Sequence, residues 1–215
     1  MVEDKENILL KDHTVEEFMD VTAGSEPVPG GGSVSALVGG ISAALTQMVA
    51  GLTIGRKKYA EVDAEMRALV DKVDAIRAEL VAGIDRDSEA YARVSEAYKL
   101  PKETDWEKGT RSEAIQEATK TAAAVPMEVA KVAFELIPLI ETVVMKGNQN
   151  AITDGCIAMM SCRLAVLGAL LNVRINLGGI KDEAFVKQYA DTCDELEKAV
   201  EEAEKKILSH TYKQL

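Results

Sequence analysis

Histidine, cysteine and positive charge are all scarce in this chain of 215 residues, and each shortage removes a class of chemistry. The only histidines, His13 and His210, lie near opposite ends. A histidine-rich metal cluster is therefore not expected, and a His-centred triad would have to recruit a terminal residue. Lysine plus arginine number 25 against 36 aspartate plus glutamate, a net charge of −11. That balance argues against a general nucleic-acid binder, which needs a basic face to displace counterions. Cys156, Cys162 and Cys193 are odd in number and lack CxxC spacing. They read as reduced core thiols of a cytoplasmic protein; a nucleophilic cysteine would have no histidine nearby in sequence to activate it. The acidic opening, Met1 to Lys11, has no signal-peptide profile. Catalysis, if present, falls to carboxylate, lysine, tyrosine, amide and backbone groups.

What is present is a hydrophobic fraction of 47% on a length that suits one domain, residues 1–215, with a real core. The dominant period is helical. Thr14 and Glu17 form a capping-box pattern for a first helix with Val15, Phe18 and Met19 as apolar positions. From Pro27 to Gly55 there is no charged residue. The stretch is long enough to span a bilayer, but its seven glycines and its Ser, Thr and Gln residues favour a buried helix packed through small side chains. Ser33 is placed to cap it, and it should end near Gly55.

A second long helix is predicted from about Asp63 to Lys99, with a stripe of Met66, Leu69, Val73, Ile76, Leu80, Ile84, Tyr91, Val94 and Tyr98. The stripe skips from Ile84 to Tyr91, and Asp87 fills the gap. At about 100° per residue Asp87 lies about 20° from Leu80, whereas Asp85 lies about 140° away. Asp87 should face the core and Asp85 should not. Pro101 closes this helix, and Lys102 to Lys108 reads as a polar loop carrying Trp106. Helical signal resumes near Arg111, punctuated by Pro126 and Pro138. A loop at Lys146–Asn150 precedes an apolar segment, Ala151 to about Asn176, and a last helix runs from Asp182 to about Ser209. With no strand pattern, the expected fold is an all-α, single-domain multihelical bundle with long buried helices.

Four places could carry chemistry. Pro29-Gly30-Gly31-Gly32-Ser33 stands at a helix N-terminus, where free N–H groups favour an anion or polar ligand edge, or it is simply a turn and cap. Asp87, a carboxylate in a core stripe, is either paired or a desolvated acid/base with a raised pKa. Gly55-Arg56-Lys57-Lys58-Tyr59 carries three cations that either offset the helix dipole or attract an anionic ligand. Asn148, Asp154, Arg163, Asn172 and Asn176 are polar residues embedded in apolar sequence; Asn172 and Asn176 share a helix face. They either satisfy buried backbone or read the edge of a heterocycle.

Taken in order, Pro29-Gly30-Gly31-Gly32-Ser33-Val34, Leu52-Thr53-Ile54-Gly55-Arg56-Lys57-Lys58-Tyr59, Asp85-Arg86-Asp87-Ser88-Glu89-Ala90-Tyr91, Leu100-Pro101-Lys102, Ala124-Val125-Pro126, Gly147-Asn148 through Asp154, and Asn172-Val173-Arg174-Ile175-Asn176-Leu177 cover nearly the whole chain. This series resembles the cyclodeaminase domain of formiminotransferase-cyclodeaminase and, equally, the stand-alone bacterial methenyltetrahydrofolate cyclohydrolases of that family. The formiminotransferase half of the bifunctional enzyme has no counterpart in these 215 residues.

The resemblance implies an all-α homodimer or larger homo-oligomer acting on a tetrahydrofolate derivative, with the aspartate acid/base falling on Asp87. Gly30, Gly31, Gly32 and Ser33 would contact the substrate, and Arg56 and Lys57 would attract a glutamate tail, possible on a polyglutamylated folate. Asn148, Asp154, Asn172 and Asn176 would form or support the pterin pocket. No metal and no cofactor beyond the folate substrate are expected, and no nucleic-acid or membrane partner. Cyclohydrolase activity, the hydration of 5,10-methenyltetrahydrofolate to the 10-formyl compound, is favoured over cyclodeaminase activity, which releases ammonia from the formimidoyl compound. A non-catalytic folate-binding or helical interaction protein is the alternative of a different class.

Overall fold

The computed structural model describes residues 8–215, so the reading of the first residues as free of a signal peptide lies mostly outside it. Seven α-helices follow in order: α1 (Val15–Thr22), α2 (Gly31–Thr53), α3 (Asp63–Lys99), α4 (Asp105–Phe134), α5 (Ile137–Lys146), α6 (Ile152–Leu177) and α7 (Glu183–Tyr212). No strand occurs among the described residues, and the bundle is all-α as expected.

α2 packs between α3 and α6. Its lack of charge is explained by neighbours on several sides, chiefly α3 and α6. Both pairings are antiparallel. Ser33 meets Asp87 at one end of the α2–α3 pair and Gln47 meets Asp74 further along. Gly31 abuts Asn172 at one end of the α2–α6 pair, and Leu52 and Thr53 hold Asn148 at the other. Small residues set the spacing: a Cβ on Gly39 would stand 3.1 Å from a Leu80 methyl, and one on Gly168 would stand 2.5 Å from the Ser35 hydroxyl. By length and composition α2 and the Gln149–Leu177 stretch are both apolar enough to cross a membrane, and half of each apolar window is buried inside the bundle. The three cysteines are free and buried, and desolvation pushes the Cys162 thiol up to about 12, as for inert core thiols.

Several local expectations change. Thr14 caps α1 with the expected box, but Val15 and Met19 are exposed and only Phe18 reaches the core. Ser33 does not cap α2: the helix begins at Gly31, and Ser33 is its third residue. The local capping rule fails because an acceptor for the Ser33 N–H arrives from another helix. Trp106 lies in α4 rather than in a loop, since Thr104 and Glu107 form a second capping box and start that helix at Asp105. Pro126 sits inside α4 without ending it, whereas Pro138 occupies the first turn of α5, where its missing N–H costs nothing. In α3 the stripe is buried through Ile84 except for the half-buried Ile76, but Tyr91 and Tyr98 are exposed. The cause is one of length: α2 begins opposite Asp87, so the last turns of α3 have no α2 beneath them.

Candidate active site

Asp87 stands where α3 passes the first turn of α2. Its Oδ2 accepts the Ser33 N–H at 2.9 Å and lies 3.2 Å from the Ser33 hydroxyl. The carboxylate thus supplies the negative group that the start of α2, lacking any acidic residue in its first turn, does not have of its own. This close approach requires Gly32. A Cβ there would fall 1.9 Å from Asp87 Oδ1 and 2.5 Å from Oδ2, inside the carboxylate itself. Burial raises the Asp87 pKa above the ordinary carboxylate range, and the Ser33 hydrogen bonds only partly oppose that. The sequence-level choice between Asp87 and Asp85 agrees with this geometry. Asp85 turns instead into a crevice beneath Ile8, Leu9 and Leu10.

A cavity of about 350 Å³ opens in front of Asp87. Gly30, Gly31 and Gly32 form one wall, Asn172 and Asn176 another, and Tyr91 and Val94 lie on the α3 side. The two asparagines are tied down through their nitrogens. Asn172 Nδ2 donates to Gly168 O at 2.8 Å. Asn176 Nδ2 donates to Asn172 O at 2.8 Å and to Ala122 O at 3.0 Å. The last contact has a covalent origin: Pro126 has no N–H, so the carbonyl four residues before it, Ala122, lacks its helical donor. Asn176 supplies one. The proline read in the sequence as punctuation therefore anchors a cavity residue, and its spacing from Ala122 was the signal that could have revealed this. With both nitrogens engaged, the side-chain oxygens of Asn172 and Asn176 remain as acceptors toward a ligand.

The other expected site residues are elsewhere. Ser33 is fully buried behind Asp87 and does not line the cavity. Arg56 and Lys57 follow the far end of α2, which at 1.5 Å per residue lies about 34 Å from its start. Asn148 is at that end too: its N–H donates to the Thr53 hydroxyl at 2.8 Å and its Nδ2 to Leu52 O at 3.0 Å. Asp154 is in the adjoining first turn of α6. Within one chain these four residues do not meet Asp87.

They form a second cluster, in which Tyr59, named in the sequence only as the last residue of the Gly55–Tyr59 run, takes a defined place. The Gln149 N–H donates to the Tyr59 hydroxyl at 3.0 Å, Lys58 lies 5.2 Å from the Tyr59 ring centre, and the Gln149 contact leads in lowering the phenol's pKa. Gly55 makes the turn into this cluster with φ of 75°, a left-handed conformation that a side chain would strain, and its N–H donates to Asp63 Oδ1 at 2.6 Å. Arg163 has neither role: it faces α7, beside Glu201 and Glu204.

A separate groove of about 610 Å³ lies between α1 and α2, lined by Phe18, Met19, Val34, Leu37, Val38 and Ile41 among others. It is larger than the Asp87 cavity but carries little to drive a reaction, and it does not include Asp87. Among the described residues there is no group of three or more His, Cys, Asp or Glu arranged to hold a metal.

Comparison with known proteins adds the following. The sequence profile of the formiminotransferase-cyclodeaminase family matches residues 14–195. A methenyltetrahydrofolate cyclohydrolase from Methylorubrum extorquens is 45% identical over 175 residues, which cover 81% of this chain and 84% of that protein. The formimidoyltransferase-cyclodeaminase of Mus musculus is 36% identical over 176 residues, covering 82% of this chain and 32% of that protein. The chain thus spans about a third of the length of such bifunctional relatives. The crystal structure of a formiminotetrahydrofolate cyclodeaminase from Thermotoga maritima superposes with a TM-score of 0.82 at 33% identity, covering 92% of this chain and 95% of that one.

Proposed function

Because the chain belongs to the formiminotransferase-cyclodeaminase family, we propose that it is a cytoplasmic enzyme of tetrahydrofolate one-carbon metabolism and that the Asp87 cavity is its reaction site. The observation that carries this reading is a single desolvated carboxylate, held at a helix N-terminus and facing a cavity walled by glycine backbone and two amides. We favour the cyclohydrolase reaction, since the stand-alone cyclohydrolase relative matches at 45% identity over most of its length.

In that reaction water adds to the methenyl carbon held between N5 and N10. Asp87 takes a proton from the attacking water, leaving a neutral tetrahedral carbinol. It then delivers that proton to N5 as the N5–C bond breaks. The carbinol proton passes to solvent as the formyl carbonyl forms, so one proton is released overall. A carboxylate with its pKa lifted toward the working pH suits both transfers, and such a group typically contributes about 10²–10⁴-fold. The transfers themselves call for no metal or redox cofactor. The side-chain oxygens of Asn172 and Asn176 would accept from the pterin edge. Cyclodeaminase chemistry, with N10 attacking a formimino carbon and ammonia leaving, uses the same proton acceptor and donor and is the second reading, supported by the structural match.

The separation of the two clusters supports a homodimer. α2 and α6 keep Ile41, Met48, Leu52, Ile157, Leu164, Leu171 and Ile175 exposed, an apolar surface of the kind that marks an interface. A two-fold axis across antiparallel helices sets the end of one copy against the beginning of the other. Arg56, Lys57, Asn148 and Asp154 of a second copy would then face the Asp87 cavity and receive the glutamate tail.

The deciding experiment follows methenyltetrahydrofolate absorbance with purified protein. Enzyme-dependent loss of the methenyl compound supports cyclohydrolase. Its formation from the formimidoyl compound, without accelerated loss, supports cyclodeaminase, and no turnover of either removes the enzymatic reading. Mixing Asp87→Asn protein with an Arg56→Ala/Lys57→Ala variant at low substrate concentration tests the shared site. Statistical exchange should restore about a quarter of wild-type turnover, whereas an unshared site gives only the sum of the two variants.

A further inference from the structure

The Ser33 hydroxyl is sealed from solvent and has one proton but three neighbours. It lies 2.9 Å from Ile84 O, 3.2 Å from Asp87 Oδ2 and 3.3 Å from the Ser88 hydroxyl. Resting on the reading of Asp87 as the acid/base, we propose that Ser33 is a positioning residue whose hydroxyl turns with the charge of Asp87 and confines the reacting proton to Oδ1.

The argument is geometric. The Ser33 N–H can only donate, so Oδ2 faces a donor whether Asp87 is ionised or neutral. No donor among the described residues reaches Oδ1, which lies against the open position of Gly32 at the cavity wall. Oδ1 is therefore the oxygen that gains and loses the proton. When Asp87 is ionised, the Ser33 proton points at Oδ2, and the Ser88 hydroxyl can donate to Ser33 in turn. When Asp87 is neutral, the Ser33 proton swings to Ile84 O, which also accepts within α3. A full unit of charge is then accommodated by one rotation of a hydroxyl that is itself sealed from solvent, a setting in which fixed dipoles are most effective.

Few other groups compete. α2 brings no ionisable side chain. On α3, Tyr91 stands at the cavity mouth, Arg86 turns to Glu79 and Glu128, and Asp85 and Glu89 line the crevice under Ile8–Leu10. α4 presents Ala122, and α6 presents Asn172, Ile175 and Asn176. The N-terminal turn places Lys11 and His13 in the separate apolar groove.

The test is the pH profile of turnover in Ser33→Ala, which keeps the backbone N–H and removes only the hydroxyl. Loss of a donor to the charged form makes Asp87 hold its proton more tightly. The acid limb of kcat/KM should move to higher pH by about one unit, while KM on the alkaline plateau stays within about twofold of wild type. Ser88→Ala, one step removed, should shift the limb the same way by less, and it serves as the probe if Ser33→Ala does not fold. An unmoved acid limb in Ser33→Ala, or in Ser88→Ala where that is the protein available, overturns the proposal. So does a Ser33→Ala whose only change is a raised KM. Wild-type protein that turns over neither folate substrate defeats the Asp87 reading and this inference with it; wild-type turnover with an unshifted limb defeats the inference alone.

Discussion

Two aspartates on α3 stand at opposite ends of α2, and both accept a backbone N–H. Asp63 takes the Gly55 N–H at 2.6 Å, and Asp87 takes the Ser33 N–H at 2.9 Å. Their proton affinities nevertheless move in opposite directions. Arg67, then the Gly55 N–H, lowers the Asp63 pKa, while burial raises that of Asp87. The difference is water and a counter-charge. At the Asp63 end, exposed cations and carboxylates pair across the surface, as in Lys146 with Glu65. At the Asp87 end the walls are glycine, amide and aliphatic carbon with Tyr91 at the mouth, and no cation among the described residues pairs with the carboxylate. In the proposed reading Arg56 and Lys57 at the first end attract an anionic tail, and Asp87 at the second transfers the proton.

The largest effect expected from breaking this contrast comes from Asp87→Asn. Turnover should fall by about 10²–10⁴-fold with an unchanged helical circular dichroism spectrum. Stability should move the other way. The folded-state pKa of Asp87 is raised, so folding favours the protonated form. The contribution is fully present below the unfolded-state pKa, and it is lost as pH rises through the higher folded-state value. At neutral pH the ionised carboxylate is a burden, and Asp87→Asn should melt at a higher temperature than wild type. That advantage should shrink as the pH falls toward 4, which thermal melts across pH would show.

Gly32→Ala comes next. Its methyl would occupy the carboxylate's place, so Asp87 must shift and kcat should drop by about 10²-fold, although alanine favours helix. A variant that keeps wild-type kcat would mean that the carboxylate's position against α2 is immaterial. At the other end, Arg56→Ala with Lys57→Ala should raise KM for polyglutamylated substrate by about 3–10-fold with kcat nearly constant, and the effect should fade at high salt. A fall in kcat at constant KM would assign these cations to the chemical step instead. The smallest change is expected from Arg67→Ala. It should return the Asp63 carboxyl toward its ordinary titration, read by NMR, with turnover unchanged and only a marginal shift in Tm, because the pair is solvent-exposed.

Much of the fold was legible because helical periodicity is a local property. The bounds expected for α3 and α6, and the cap of α1, agree closely with the observed ones. The misplaced features are those where a neighbour overrides a local rule. Ser33 reads as a cap, but Asp87 takes over the capping from another helix. Tyr91 and Tyr98 continue the apolar stripe in register, yet α2 begins only opposite Asp87 and leaves them uncovered. Pro126 reads as a break, but the carbonyl it frees is satisfied from α6.

The scarcity of histidine, the apolar register of α3 and the skip between Ile84 and Tyr91 pointed to a carboxylate, and to Asp87 rather than Asp85, because a helical angle follows from residue spacing alone. That Gly32 makes room for this carboxylate, that Ser33 lies behind it, and that Arg56, Lys57, Asn148 and Asp154 gather toward the other end of α2 depended on helices running antiparallel. Distances between residues on different helices are set by packing, which has no counterpart in the order of residues along the chain.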